Sequence, residues 1–122
     1  KAGATVKIVA PKVGGATLHD GTLLPADGQL AGTPSTLFDA VASVLTSKMG
    51  EQLSKEAAAV DWFRDAFGHL KAIAVGKGSQ ALLQAAGIEP DAGVVDTGDV
   101  QGFIAAAQTR QWAREPKVRT LA

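Results

Sequence analysis

The first third of the chain carries short apolar segments separated by turn residues. A β-branched run over residues 5–9 ends before Pro11 and predicts a strand. Residues 12–27 predict a hairpin, because two apolar segments flank Asp20-Gly21, a strong two-residue turn signal. Residues 28–34 are rich in turn formers and predict a loop.

From residue 37 onward, longer apolar segments alternate with amphipathic ones. Residues 37–45 form an apolar run that favours a buried strand, although the alanines leave a helix open. Residues 51–70 predict one amphipathic helix, because apolar side chains recur there at three- and four-residue steps. This apolar stripe consists of Ala59, Val60, Phe63, Ala66, Phe67 and Leu70. The remaining predicted elements are a strand at 72–75, a helix at 79–86, a strand at 92–96 and a helix at 100–109 that Asp99 can cap.

Strands that alternate with helices indicate an α/β fold with a parallel sheet and helices on its faces. The length of 122 residues suits one domain, so we predict a single domain over residues 1–122. Residues 110–122 form a basic tail without an apolar stripe, for which a solvated or inter-subunit role is expected. The charged residues of the tail are Arg110, Arg114, Glu115, Lys117 and Arg119.

Composition narrows the possible chemistry. Twelve basic and twelve acidic residues give no net charge, which removes the electrostatic case for nucleic acid or an anionic membrane as partner. Zero cysteines exclude disulfides and a cysteine nucleophile, and zero tyrosines with two histidines leave few acid–base groups. We find no apolar run long enough for a membrane span and no signal peptide, so we expect a cytoplasmic protein.

The strand–turn–helix junction at residues 76–81 has the pattern G-x-G-x-x-A. Asp96 follows Gly76 by 20 residues, at the end of the next predicted strand. In dinucleotide-binding proteins such glycines let the backbone approach the pyrophosphate, and the acid holds the ribose. Gly76, Gly78 and Asp96 are therefore a weak candidate cofactor site, because any tight turn of this kind favours glycine. A phosphate loop is excluded, since Lys71 and Gly78 occupy positions where that motif needs Gly and Ser or Thr.

Isolated polar and aromatic residues suggest little further chemistry. His19 and Asp20 lie at the predicted hairpin tip without the further ligands that a metal needs, and His69 lies near a helix end, where a cation offsets the helix dipole. Trp62 falls off the apolar stripe, so it either packs on the preceding loop or contacts another chain. We predict no metal site.

The chain resembles the C-terminal domain of the large-subunit haem catalases from about Thr5 to Arg119. The segments that carry this resemblance are KIVAP, DGTLLPADGQLAGTPSTLFDAVASVL, EAAAVDWFRDAFGHLKAIAVG, AGIEPDAGVVD and FIAAAQTRQWAREPKVR. The most specific parts are the stretch from Phe38 to Leu70 and the ending REPKVR.

The resemblance implies a flavodoxin-like, doubly wound and mostly parallel sheet with a small hairpin, similar to the PfpI and class I glutamine amidotransferase-like superfamily. In that family the domain begins with one more strand–helix unit, whose strand lies inside the sheet. We therefore expect this chain to lack that unit, with the strand supplied by further residues, by another chain or by altered pairing.

The resemblance also implies that catalysis is absent from this chain. PfpI-type enzymes place a cysteine nucleophile on the turn after a strand, and the matching position here is Gly76, which has no side chain. Haem catalases ligate their iron through a tyrosine in an upstream core, and this chain has no tyrosine. No cofactor is expected in this chain, and haem is expected in the parent core.

The function implied is a non-catalytic structural and interaction domain of a parent that disproportionates hydrogen peroxide. It would contact the catalase core and neighbouring subunits, stabilise a tetramer and shape access to the haem channel. The alternative is an autonomous holdase-type chaperone that binds unfolded clients through exposed apolar surface. Nucleotide binding at Gly76, Gly78 and Asp96 ranks third.

Overall fold

The structure, a computed structural model, describes residues 3–11, 15–17 and 20–119. Contacts within the chain group into two units, one ending at Pro34 and one beginning at Ser35, and each is described by itself. The expectation of a single domain over residues 1–122 stays a prediction. No helix in the described part of the chain is long and apolar enough to cross a membrane.

The first unit contains two small pairs of strands. Strand β1 (Val9–Ala10) pairs in parallel with β4 (Gly28–Gln29), and β2 (Ala16–Thr17) pairs antiparallel with β3 (Leu23–Leu24). The β2–β3 pair confirms the predicted hairpin. The loop expected over residues 28–34 is wrong in part, since it contains β4 and a 3₁₀ turn at Leu30–Gly32.

Pairing between β1 and β4 depends on one acidic residue that is distant in sequence. The backbone N–H of Ile8 donates to Asp27 Oδ2 at 2.6 Å, and the Asp27 N–H donates back to the Ile8 carbonyl at 2.7 Å. These bonds align residues 27–29 beside residues 8–10. The predicted strand over residues 5–9 is therefore shorter and begins at Val9, with Val6 left exposed.

The hairpin turn uses the predicted pair of residues. Gly21 adopts φ +87°, a left-handed conformation that glycine takes without steric cost. The Thr22 N–H donates to Asp20 Oδ1 at 2.9 Å, and hydrogen bonds from Thr22 lower the pKa of Asp20. His19 lies outside the described residues, so its predicted place at the tip is not tested.

The second unit is built on a three-stranded parallel sheet. Its strands are β5 (Ala40–Ala42), β6 (Ala72–Val75) and β7 (Val94–Asp96), in that spatial order. Ala40 pairs with Ala72, and Val75 pairs with Asp96. Together with the helices between the strands, this arrangement confirms the predicted flavodoxin-like α/β class.

Strand β5 differs from the prediction for residues 37–45. Only three residues are extended, and a 3₁₀ turn at Ser35–Leu37 precedes them. Val41 and Ser43 are buried, whereas Ala42 is exposed and Val44 is 90% exposed. This alternation is the pattern of a strand covered on one face rather than on both.

The single helix predicted over residues 51–70 is wrong, because two helices occupy this region. They are α1 (Ser47–Leu53) and α2 (Ala57–Gly68). Thr46 caps α1 by accepting from the Met49 N–H at 3.2 Å. The apolar stripe begins at Ala59 and follows α2, whereas α1 buries Gly50 and Leu53, which lie outside that stripe.

The buried core of the second unit lies around β6 and α2. Every residue of β6 is buried, and Ile73 and Leu82 are among the largest fully buried side chains. Trp62 is buried although it falls off the predicted stripe, and its ring packs edge-on against Phe63 with centroids 5.0 Å apart. Five stripe residues are buried as predicted: Ala59, Phe63, Ala66, Phe67 and Leu70.

The remaining helices begin and end near the predicted positions. Helix α3 (Gln80–Ala85) follows a 3₁₀ turn at Lys77–Ser79 and is followed by Gly87 at φ +71°. Helix α4 (Val100–Ala107) has the predicted cap, since Asp99 Oδ1 accepts from the Gly102 N–H at 3.0 Å. The tail is not solvated throughout, because it forms a 3₁₀ turn at Trp112–Arg114 and helix α5 (Glu115–Arg119) and buries Arg114.

Candidate functional site

The carboxyl ends of β5, β6 and β7 bring the sequence-predicted residues to one edge of the sheet. The Ser43 N–H donates to the Ala74 carbonyl at 2.8 Å, and the Thr97 N–H donates to the Val75 carbonyl at 3.0 Å. Gly76 follows β6, and Asp96 ends the neighbouring β7. The structure therefore places Gly76 and Asp96 on adjacent strands at this edge.

Gly76 shows the geometry of an ordinary strand end. Its backbone is extended, with φ −97° and ψ 177°, and it precedes the 3₁₀ turn at residues 77–79. A nucleophile elbow instead holds its nucleophile on a sharp, strained turn. A Cβ placed on Gly76 would lie 3.4 Å from Thr97 Oγ1, so a small side chain nearly fits there. The position has space for a nucleophile, and this chain carries none at it.

Gly78 is covered by backbone rather than open to a ligand. A Cβ on Gly78 would overlap the Leu45 carbonyl oxygen and would lie 2.7 Å from the Thr46 carbonyl carbon. Gly50, on α1, lies so close to the Gly78 carbonyl that a Cβ there would overlap its oxygen. This glycine permits a close approach between the turn and the start of α1, which is a packing role.

The carboxylate and the carbonyl of Asp96 both accept hydrogen bonds within the turn that follows β7. Its Oδ1 accepts from the Gly98 N–H at 2.7 Å, and its carbonyl accepts from the Asp99 N–H at 2.9 Å. Such a turn positions Asp99 to cap α4. The cofactor role of Gly76, Gly78 and Asp96 stays a prediction, and the contacts of Gly78 and Asp96 are those of packing and turn formation.

A pair of serines at the same edge was not predicted. Ser43 and Ser79 are buried, and their hydroxyl groups share a hydrogen bond. A serine becomes a nucleophile through an adjacent base, and here the partner is a second hydroxyl. The pair therefore joins the end of β5 to the start of α3. In an extended strand every second side chain lies on the same face, so a buried Val41 predicts that Ser43 is buried as well.

Other polar residues considered in the sequence have local roles. His69 is exposed at the end of α2, and its Nδ1 lies 2.8 Å from the Asp65 carbonyl oxygen. This contact agrees with a role at the helix terminus. Among the described residues, no group of three or more His, Cys, Asp or Glu side chains could hold a metal ion.

Arg114 forms several hydrogen bonds in the second unit, and the sequence did not single it out from the tail. It is 4% exposed. Its Nε and Nη2 donate to the two carboxylate oxygens of Asp91 at 2.7 and 2.9 Å, and its Nη1 donates to the carbonyls of Phe67 and Lys71 at 3.1 and 3.0 Å. The guanidinium also lies over the Phe67 ring, 4.0 Å from its centroid. Arg114 thus joins the tail to α2, to the start of β6 and to the residues before β7.

The electrostatics of this contact give stability that depends on pH. Burial favours the neutral form of Asp91, but hydrogen bonds from Arg114 and the Gly93 N–H outweigh it and hold the pKa of Asp91 below its usual 3.8. A lowered pKa in the folded state stabilises the fold above the unfolded value. That contribution is lost as the pH falls below about 3.8 and through the folded pKa.

We therefore expect Asp91→Asn to make the free energy of unfolding less dependent on pH under acidic conditions. At pH 7 the variant should be less stable than the unchanged chain, because Arg114 loses its charged acceptor. The difference in free energy of unfolding should shrink as the pH falls from 5 towards 2.5. Urea denaturation at several pH values measures this. A difference that stays constant over this range would contradict the assignment.

Comparisons with known proteins place the chain beside one group of enzymes. Catalase C of Rhizobium meliloti (strain 1021) is 36% identical over 122 residues, which cover 95% of this chain and 17% of the relative. Catalase-B of Dictyostelium discoideum is 31% identical over 124 residues, covering 97% of the chain and 18% of the relative. Catalase HPII of Pseudomonas aeruginosa is 28% identical over 124 residues, covering 98% of the chain and 18% of the relative. No protein-family model matches the chain.

The coverage is as informative as the identity. Nearly the whole chain is matched in each of these relatives, while the chain spans less than a fifth of their length. The match therefore concerns one part of a larger protein. The chain is homologous to the large-subunit catalases over that part, and this coverage is consistent with the C-terminal domain that its sequence resembles.

Proposed function

We propose that this chain is a non-catalytic structural and interaction domain of a large haem catalase, whose whole-protein reaction is the disproportionation of hydrogen peroxide. The observation that carries the proposal is the match of 95% of the chain to 17% of a catalase. In this proposal the peroxide chemistry belongs to the remaining part of the parent protein. The domain contributes contacts with the catalase core and with neighbouring subunits.

The side chains at the candidate site support a non-catalytic role. The strand end that could carry a nucleophile has Gly76, and the nearby hydroxyl groups of Ser43 and Ser79 bond to each other. Close packing against the backbone before α1 explains Gly78. The serine bond and the packing at Gly78 stabilise the fold. Among the described residues at this edge, no basic side chain bonds to either serine hydroxyl.

Neither the sequence nor the described residues support a catalase-type haem site in this chain. The sequence contains no tyrosine, which excludes a phenolate ligand to the iron. His69 is exposed, and its Nδ1 lies against a helix carbonyl. In the proposal the haem is therefore held by other parts of the parent, and this domain acts on it only through assembly and through the shape of the access channel.

An added domain stabilises an assembly by mass action, because its interface favours the folded, associated state. The test uses catalase C of Rhizobium meliloti in three forms: complete, without the matched segment, and with that segment replaced by this chain. We expect the deletion to lower the thermal midpoint by about 5 °C or more and to favour smaller assemblies in light scattering. The replacement should restore part of both values, while the haem absorption spectrum stays the same in all three forms.

Equal thermal midpoints and equal masses for the complete and shortened enzymes would contradict the proposal. A changed haem spectrum in the shortened form would also contradict it, since that result would place the domain in haem binding itself. The unaltered enzyme that has been carried through the same purification is the matched control.

A second candidate function, holdase-type chaperone activity, is favoured by exposed apolar side chains in the second unit. Leu37, Val44, Val100 and Trp112 are each more than half exposed. Such side chains can bind the apolar segments of unfolding proteins. Suppression of the aggregation of a heat-treated reference enzyme at near-stoichiometric ratios would support this function, and no effect at tenfold excess would remove it.

A further inference from the structure

The amino ends of β5 and β6 bring three charged residues together at the edge of the sheet opposite the candidate site. Asp39 precedes β5 and Lys71 precedes β6, and the pairing of Ala40 with Ala72 sets these two residues side by side. Arg110, in the segment after α4, reaches the same place, with its Nη2 3.2 Å from Asp39 Oδ1. The Gln111 N–H donates to the Leu70 carbonyl at 2.7 Å and holds this segment against the start of β6.

Lys71 is the unusual member of this cluster. It is only 6% exposed, and its side chain makes no hydrogen bond or ion pair with the residues that the structure describes. Since no fully buried side-chain nitrogen lacks a partner among those residues, its ammonium group must reach water at the end of a buried stem. Burial lowers the pKa of Lys71 and the nearby Arg110 lowers it further, while Asp39 raises it.

The charges of the cluster do not cancel. Two cations face one carboxylate, and that carboxylate is hydrogen-bonded to Arg110 rather than to Lys71. The Lys71 ammonium reaches water but forms no ion pair with the described residues, so a carboxylate from another molecule can bond to it. One further carboxylate would balance the charge of the cluster.

Exposed apolar side chains flank the same charges. Leu37 lies two positions before Asp39 and is 72% exposed, and Trp112 lies two positions after Arg110 and is 66% exposed. The Trp112 N–H donates to the Arg110 carbonyl at 3.0 Å, which fixes the backbone between them. The residues that contribute most to binding at protein interfaces are enriched in tryptophan and arginine.

We infer that Leu37, Asp39, Lys71, Arg110 and Trp112 form an interaction surface, the amino-end surface, for a partner protein segment that places one carboxylate among apolar side chains. The carboxylate would pair with Lys71 and Arg110, and the apolar groups would cover Leu37 and Trp112. Asp39 disfavours multiply charged ligands such as nucleic acid. The inference rests on the proposed function, because it names the surface through which the domain would contact its partner.

The test titrates the complete 122-residue chain with a short peptide that carries one glutamate between leucines. The backbone amides of residues 71 and 110 and the two tryptophan indole groups are followed by NMR. We expect saturable shifts at these amides and at the Trp112 indole, with the buried Trp62 indole unchanged. Lys71→Met should weaken binding about tenfold, because the ammonium that meets the carboxylate is lost. Lys48→Met removes the same charge from exposed α1 and should leave the affinity unchanged.

Stability separates a binding role for Lys71 from a structural one. Methionine fills the same buried stem without a desolvated charge, so Lys71→Met should unfold at the same or a higher urea concentration than the unchanged chain. A lower urea midpoint together with unchanged peptide affinity would assign Lys71 to the fold alone and overturn the inference.

Two further probes test the chemistry of the ligand. The same peptide with glutamine in place of glutamate should bind about tenfold more weakly, and inorganic phosphate should not shift the Trp112 indole. Equal binding of the glutamine peptide would show that the surface recognises only apolar groups. Strong phosphate binding would show that it binds small oxyanions instead of a protein carboxylate. Either result overturns the inference.

The catalase replacement experiment distinguishes failure of this inference from failure of the proposed function. If the segment carrying Lys71→Met restores the thermal midpoint as well as the unchanged segment does, the domain stabilises its parent through another surface. If neither segment restores the midpoint while the glutamate peptide still binds, the proposed function fails and the amino-end surface remains.

Discussion

Replacing Arg114 by methionine is expected to destabilise the second unit by about 3 kcal/mol, the lower end of the range for breaking a buried ion pair. A loss of this size corresponds to a fall in thermal midpoint of roughly 10 °C for a chain of this length. Methionine retains much of the apolar stem and its contact with Phe67. The expected loss therefore comes from the polar groups that the guanidinium satisfies.

Those groups are unusually many for one side chain. Arg114 donates four hydrogen bonds, two to the Asp91 carboxylate and one each to the carbonyls of Phe67 and Lys71. Without it, the Lys71 carbonyl loses this donor, while the Phe67 carbonyl keeps the Leu70 N–H and the partly exposed Asp91 carboxylate keeps the Gly93 N–H. An unsatisfied buried polar group costs about 1–3 kcal/mol. Asp91 keeps partial access to water, which is why we expect the lower end of the range.

Arg119→Met is the matched control, because Arg119 lies in the same tail and pairs with Glu115 on an exposed face of α5. Exposed pairs contribute at most about 1 kcal/mol, so this variant should unfold close to the unchanged chain. Urea denaturation followed by circular dichroism compares the two. Equal midpoints for both variants would show that the Arg114 contacts add nothing beyond an exposed pair.

Gly50→Ala is expected to cost about 3 kcal/mol, although alanine normally stabilises a helix by about 1 kcal/mol relative to glycine. A Cβ on Gly50 would lie far inside contact distance of the Gly78 carbonyl oxygen and 3.0 Å from its carbon. Both atoms are backbone, so no side chain can rotate away. Helix α1 and the turn at residues 77–79 would have to separate.

Gly68→Ala is the control for this second variant. Gly68 ends α2, and the nearest atom to a Cβ placed there is Val118 Cγ1 at 3.9 Å, an ordinary contact. We expect this variant to be as stable as the unchanged chain or more stable by up to about 1 kcal/mol. If Gly50→Ala also raised the urea midpoint, the close approach between α1 and the turn would be wrong.

Elements whose cause is local could be predicted from the sequence alone. The Asp20-Gly21 turn, the Asp99 cap and the stripe from Ala59 to Leu70 each depend on residues within one or two turns of the chain. The alternation of strands and helices then determines the α/β class. The resemblance to catalases depends on the sequence alone, and the comparisons confirm it.

The tertiary structure decided the features that depend on contacts between distant residues. The bonds of Ile8 to Asp27, of Arg114 to Asp91 and between the hydroxyls of Ser43 and Ser79 join residues 19 to 36 positions apart. No periodicity in a short window records such a partner, and an arginine in a basic tail has the same local pattern whether it is solvated or buried. The sequence by itself determined the class of fold and the resemblance to catalases. The tertiary structure decided which polar residues stabilise that fold, because their hydrogen-bond partners are distant in sequence and meet them only in the folded chain.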